Sequence, residues 1–362
     1  MQTRHPDYSG KTAGIGSLRG PMLVSRLVPR RWKIAGFALV AALVAGGIAT
    51  FAYLRYRQPP LAVRLLPETS EAFIYVDLRP IRTVADLKPG TLVQDDEVAG
   101  FSRETGIVPE HDLEEASIGV LPAEPVKSGT PERRFAEIFA GSFDPVKLTD
   151  FLRKRATTVD RYNGAEIFVI PREDRTVRVC ILDGRLVAVT NSASADPIER
   201  IIDRFYRRQP ARAPAFVRRN FDRVPLGAIT WAIVRMNSDP QHGELPLPGG
   251  LNFRLPHDTE VVASARVLSS LELRAEANLA DEAAAQRLAN EIGTYLTLFN
   301  AVQMSVGTRG ADADVKQLFE NLKLERKGER VTVSAEVPLR FLQKLASEAA
   351  KSQHGEEQSK AR

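Results

Sequence analysis

Cysteine is nearly absent: Cys180 is the only one in 362 residues. An internal disulfide and any cysteine-rich zinc or iron–sulfur site within one chain are thereby excluded. Histidine is also scarce. His5, His111, His242, His257 and His354 never fall three or four residues apart, so no local metal-binding pair exists. The Gly-x-Ser-x-Gly elbow, a serine with lysine three residues on, and the Gly-x4-Gly-Lys phosphate loop are all missing. Loss of these signatures lowers the expectation of an enzyme without abolishing it, because a catalytic set assembled from distant residues leaves no local motif.

Excess positive charge is missing where a polyanion-binding domain would need it. The formal net charge is +5, but residues 1–57 hold nine basic side chains against Asp7 alone. The remaining residues are net negative, which argues against nucleic-acid binding.

The chain does carry one long apolar run, the 21 residues Ile34–Leu54, without a charged side chain. As a helix it would span about 30 Å, the thickness of a bilayer's hydrocarbon core. Trp32, Tyr53 and Tyr56 suit the interfacial belts. Arg19, Arg26, Arg30, Arg31 and Lys33 outnumber Arg55, Arg57 and Arg64, which predicts a cytoplasmic N-terminus and an exported body. The 33-residue leader is too long for an ordinary cleaved signal peptide. Within the run, Ala38, Ala42, Gly46 and Thr50 make a small-residue ridge, a candidate dimer face that an alanine-rich span also produces by composition alone.

Beyond the Gln58-Pro59-Pro60 linker, alternation and turn chemistry predict strands and helices. Ala72–Leu78, Ser117–Leu121 and Phe135–Phe143 read as strands, and helical stretches follow Pro80 and end at Gly106. Asp144-Pro145 and Asp196-Pro197 read as capped helix starts, the second with Glu199 placed for a capping box. Asn163-Gly164 and Asp183-Gly184 read as hairpin turns with left-handed dihedrals, the latter joining Thr176–Leu182 to Arg185–Thr190. Further strands are expected at Ala228–Met236, Thr259–Leu268, Leu271–Leu279 and Arg330–Val337. In the third, Leu271, Leu273, Ala275, Ala277 and Leu279 would face a core and Glu272, Arg274, Glu276 and Asn278 water. Helices are expected after Asp281, at Asp314–Leu324 and at Leu339–Lys351.

The pattern predicts an α+β fold, antiparallel sheets with helices packed on one face, preceded by one transmembrane helix. Its divisions are a cytoplasmic tail (1–33), the span (34–54), a linker (55–64), two lobes (65–210 and 211–351) and a polar tail (352–362).

The stretch Asn237–Asp258 reads as a long Pro/Gly loop. Its Leu245, Leu247, Leu251, Phe253 and Leu255 either contact a partner or membrane, or fold back over a sheet edge. His242 and His257, beside Glu244 and Asp258, read as solvated loop residues. Cys180, between Val179 and Ile181 in a strand, reads as a core thiol. No metal or cofactor is implied.

The segments Leu66-Pro67, AFIYVDLRPIR, ETGIVPEHDLEEASIGVL, RFAEIFAGSFDPVKL, VPLGAITWAIVRM and LELRAEANLADEAAAQRLA, spread over residues 65–300, resemble an uncharacterised family of bacterial single-pass membrane-anchored proteins. The resemblance implies a bacterial envelope location and supplies no site residues. The expected function is an inner-membrane protein presenting a periplasmic α+β module for non-catalytic binding or scaffolding, its partners the bilayer and an envelope protein or a second copy. A hydrolase with a dispersed active site is the alternative.

Overall fold

The computed structural model describes residues 58–85, 96–123, 134–172, 175–207, 212–236, 244–247, 251–305 and 321–340. The expected span at 34–54 and the tails at 1–33 and 352–362 lie outside these residues. Among the described residues no helix is long and apolar enough to cross a membrane.

The fold is α+β, built on a 12-stranded sheet whose neighbouring strands are all antiparallel. Helix α1 (Leu61–Leu65) leads into β1 (Ala72–Asp77), and α2 (Leu78–Ala85), α3 (Asp96–Thr105) and α4 (Pro109–Asp112) precede β2 (Leu113–Leu121). Then come β3 (Arg134–Gly141), α5 (Pro145–Arg155), β4 (Thr158–Tyr162), β5 (Ala165–Arg172), β6 (Arg175–Ile181) and β7 (Leu186–Thr190). Helices α6 (Asp196–Tyr206) and α7 (Ala215–Asn220) and a 3₁₀ turn (Phe221–Arg223) lead to β8 (Ala228–Arg235). The remainder is β9 (Glu244–Leu247), β10 (Leu251–Arg254), β11 (Glu260–Val267), β12 (Leu271–Asn278), α8 (Glu282–Ser305), β13 (Lys323–Lys327) and β14 (Arg330–Val337).

The strand order is β13-β14-β12-β11-β8-β1-β2-β3-β7-β6-β5-β4. The two lobes expected on either side of residue 210 therefore share one sheet, because β1 pairs with β2 on one edge and with β8 on the other. The linker expected at 55–64 is also shorter, since Ala62 and Val63 of α1 are buried in the core. Both outer strands are charged and exposed, β4 as TVDRY and β13 as KLERK.

Helices cover both faces, not the single face expected. Strand alternation separates Ala188 from Val187 and Val262 from Val261. On one face α1, α6 and α7 bury Ile138, Cys180, Ala188, Ile233 and Val262 beneath Leu65, Ile198, Ile201, Ile202 and Val217. Each fully buried leucine, isoleucine or valine among them stabilises by about 1.5–3 kcal/mol. On the other face α3 and α5 pack over Phe168, Val179 and Val187, and α8 packs over Ala277 and Val331.

Local chemistry explains most boundaries. Asp144 Oδ1 accepts from the amides of Val146 (3.0 Å) and Lys147 (3.2 Å), capping α5. Asp196 does no such thing. Ala195 is the N-cap of α6, Ser194 Oγ accepts from the Asp196 amide, and the Asp196 carboxylate instead takes Arg200 Nε at 2.7 Å. The expected capping box through Glu199 is absent because the start lies one residue earlier. The Asn163-Gly164 turn has φ of 48° and 84°, as a two-residue hairpin requires. Asp183-Gly184 turns differently: Asp183 Oδ1 accepts from Arg185 and Leu186 amides, so a side chain replaces left-handed backbone. Lys323 and Leu324, expected at a helix end, belong to β13. Most of the predicted helix 314–324 falls outside the described residues. The helix predicted from Leu339 begins there, and its continuation past Arg340 falls outside too.

The two Asp-Pro sites supply a paired test. Asp144→Ala should lower the unfolding free energy by about 0.5–2 kcal/mol. Asp196→Ala, which removes only an exposed i,i+4 ion pair, should cost no more than about 0.5 kcal/mol. Urea melts of both variants measure the difference, and equal costs would refute the assigned caps.

Candidate functional site

Among the described residues, α3 and α5 cover one end of the face opposite α1, α6 and α7, and α8 covers the other. Cross-strand register puts Val189, Glu137, Ile118, Ile74, Ala232, Ala263, Ala275 and Val333 side by side in one row across β7, β3, β2, β1, β8, β11, β12 and β14. The next row holds Val187, Phe139, Ala116, Val76, Thr230, Ala265, Leu273 and Ala335. Directly opposed residues share a face, so these rows form one surface. The β1, β2, β3 and β8 members are half-buried and belong to none of the three hydrophobic clusters. They form the floor of a trough, with α3 and α5 beyond one side and α8 beyond the other.

Within it, Ile74, Thr230, Ala232, Ala263, Leu273 and Ala275 line an open, mostly apolar depression of about 420 Å³. Alternation along β12 predicts a buried apolar stripe and a solvated polar one, but the structure departs from this in the middle of the strand. Leu273 is 38% exposed and Glu276 is buried, because α8 reaches only the Ala277 end of the apolar stripe.

Two polar groups interrupt the two rows. Thr230 Oγ1 donates to the Tyr75 carbonyl at 2.8 Å and is satisfied. Glu137 is not. Its neighbours on the surface are Ile118, Val189, Phe135 and Phe139, and no hydrogen bond or ion pair engages its carboxylate among the described residues. Burial raises its carboxyl pKa above the ordinary glutamate value. The sequence signal was present: Glu137 is the one polar residue between Phe135 and Phe139 at strand spacing.

Glu276 is the opposite case. It lies on the far face in a polar groove of about 650 Å³. Glu276 accepts from Arg223 Nε at 2.8 Å and Arg274 Nη2 at 2.9 Å, with Arg330 at 3.8 Å. Burial alone would raise its pKa, but the guanidinium hydrogen bonds and charges prevail and hold it below the ordinary value. Arg223 is itself bonded to Asn220 Oδ1, so this network pins α7 and the 3₁₀ turn to β12. Its role is structural.

The other residues singled out from sequence are scattered. The stretch expected as a loop contains a β9–β10 hairpin, which carries Leu245, Leu247, Leu251 and Phe253, and Leu255 is packed beside Ala285 and Leu288 in the α8 cluster. Ala38, Ala42, Gly46 and Thr50 lie outside the described residues, as does His242. Cys180 is fully buried, and burial pushes its thiol up to about 12. His111 is exposed and contacts Asp112 at 2.7 Å through Nδ1, with no serine or cysteine partner among the described residues. Among the described residues no group of three or more His, Cys, Asp or Glu side chains converges as a metal site.

No family model matches the chain, and no curated protein is a significant match. Three crystal forms of TP0453 are similar in structure. Form IV aligns with a TM-score of 0.44 at 13% identity, covering 80% of this chain and 96% of that one. Form III gives 0.43 at 12% identity, covering 80% and 98%, and form I gives 0.39 at 11%, covering 80% and 96%. Likeness this loose carries no argument about function.

Glu276→Ala should lower the unfolding free energy by about 3–5 kcal/mol, because it leaves Arg223 buried without its carboxylate. Since the Glu276 pKa is depressed in the fold, its contribution is present above the ordinary value of 4.5 and disappears as pH falls below it. Melting curves across that interval should therefore converge for wild type and variant. Native Cys180 should resist thiol reagents until the protein unfolds.

Proposed function

We propose that this chain is a single-pass inner-membrane protein of the bacterial envelope that presents a non-catalytic α+β binding module to the periplasm. The apolar run at 34–54 and the basic bias before it support the anchoring. The family resemblance supports the envelope location. The observation that carries the binding role is the trough, whose apolar floor on β1, β2, β3 and β8 is half-buried and outside all three hydrophobic clusters.

Its occupant is an amphipathic helix of an envelope protein. The five strands β3, β2, β1, β8 and β11 span about 19 Å at the usual spacing. That accommodates one helix of about 10–12 Å with its side chains. Helices already pack on this same face at both ends, so a further helix continues an existing layer. Small floor residues, Ala232 and Ala263, permit close approach. Against the hydrolase alternative stands the exposed, nucleophile-free setting of His111.

Two measurements test this. A periplasm-active reporter fused after Arg362 should be active in cells, and a cytosol-active one silent; the reverse overturns the topology. Photocrosslinkers placed at Ile118 and Ala232 of the full chain in its own membrane should join a helix of one discrete protein, identified by peptide mapping. A crosslinker at Glu336, on the opposite face, should not. Crosslinks to a second copy or to lipid alone, or yields equal to those at Glu336, overturn the helix-binding reading.

A further inference from the structure

Glu137 is an expensive residue where it sits. Ile118, Val189, Phe135 and Phe139 surround it, and β2 and β7 flank its strand on both sides. The fold provides no counter-charge among the described residues, although it builds a three-arginine cage for Glu276. Removing a charge from water without a partner is unfavourable, so this carboxylate weakens the free protein. Half-buried on the same face as the open depression over β1, β8 and β11, two strands away, it is placed to be paired by something that arrives.

We propose that Glu137 is the specificity-determining residue of the trough, accepting the lysine or arginine that a partner helix carries in the middle of its apolar face. The inference rests on the trough being the binding surface and adds what that surface selects. The apolar rows supply contact area that any greasy helix would find equally attractive. A single carboxylate among them discriminates, because a helix without a cation leaves it sealed and unpaired, and one bearing an acid meets a like charge. A basic side chain satisfies it. The long aliphatic stem of lysine or arginine also lies against Ile118 and Phe139 at little cost.

The test uses the full chain in lipid nanodiscs and synthetic 18-residue alanine–leucine helices, fluorescently labelled. One bears a single central lysine, a second norleucine at that position and a third glutamate. Wild-type protein should bind the lysine helix about tenfold more tightly than the norleucine helix, with the glutamate helix weakest. Glu137→Gln should erase the preference, Glu137→Asp should keep part of it, and Glu137→Lys should reverse it towards the glutamate helix. In unbound protein Glu137→Gln should raise Tm, since it removes a penalised charge; a lower Tm would make Glu137 a structural residue and overturn the proposal. Equal binding of all three helices by wild type, with binding lost in Ile118→Arg, would overturn the role of Glu137 and leave the trough standing. Helix binding that Ile118→Arg does not change, or no binding at all, would overturn both.

Discussion

Everything in this fold depends on the pairing of β8 with β1. The chain lays down β1, builds six strands away from one of its edges, and returns after α7 to place β8 against the other. The seam is reinforced by side chains. Tyr75 stacks on Trp231 at 5.6 Å between ring centroids, and Phe221 meets the same indole edge-on at 5.4 Å. The largest hydrophobic cluster runs through it, taking Phe73 and Ile138 from one half and Trp231, Ile233 and Val262 from the other. Without that pairing there would be two smaller sheets, each with a raw edge and half a core.

Joining them produces a sheet of twelve strands with helices on both faces. One face is filled by α1, α6 and α7, which bury three isoleucines of α6 completely. On the other, among the described residues, α3, α5 and α8 pack near the ends, and the apolar rows between are half-buried. The two glutamates on opposite faces show how differently such surfaces are treated. Glu276 is buried, held by Arg223, Arg274 and Arg330, and ionised more easily than usual. Glu137 is half-buried between apolar neighbours and is ionised less easily. One is cemented into the fold; the other has no counter-charge among the described residues.

Sequence reasoning recovered the parts whose cause is local. The Asp144 cap, the Asn163-Gly164 turn, the β6–β7 hairpin and β14 all follow from short-range chemistry, and the structure has them where their residues put them. It missed what depends on which strand lies beside which. Nothing near residue 210 reveals that β8 returns to β1, so one sheet read as two lobes. The β12 alternation implied a buried apolar stripe, yet which stripe is covered depends on where α8 and Arg223 arrive from distant sequence. The trough has the same origin. Its rows draw single residues from eight strands, and no window of sequence contains them. Glu137 was not singled out from sequence; its local trace, an acid between Phe135 and Phe139, gains meaning only once the strands beside it and the lack of a cation among the described residues are known.

The outermost strands carry their own consequence. TVDRY at one margin and KLERK at the other display charged side chains along otherwise unpaired backbone. Two KLERK margins laid antiparallel would set Lys323 against Lys327 and Glu325 against its own copy, so that edge resists pairing with itself. A cell can therefore accumulate many copies side by side without their fusing into one continuous β structure, and encounters between them are diverted away from the rims.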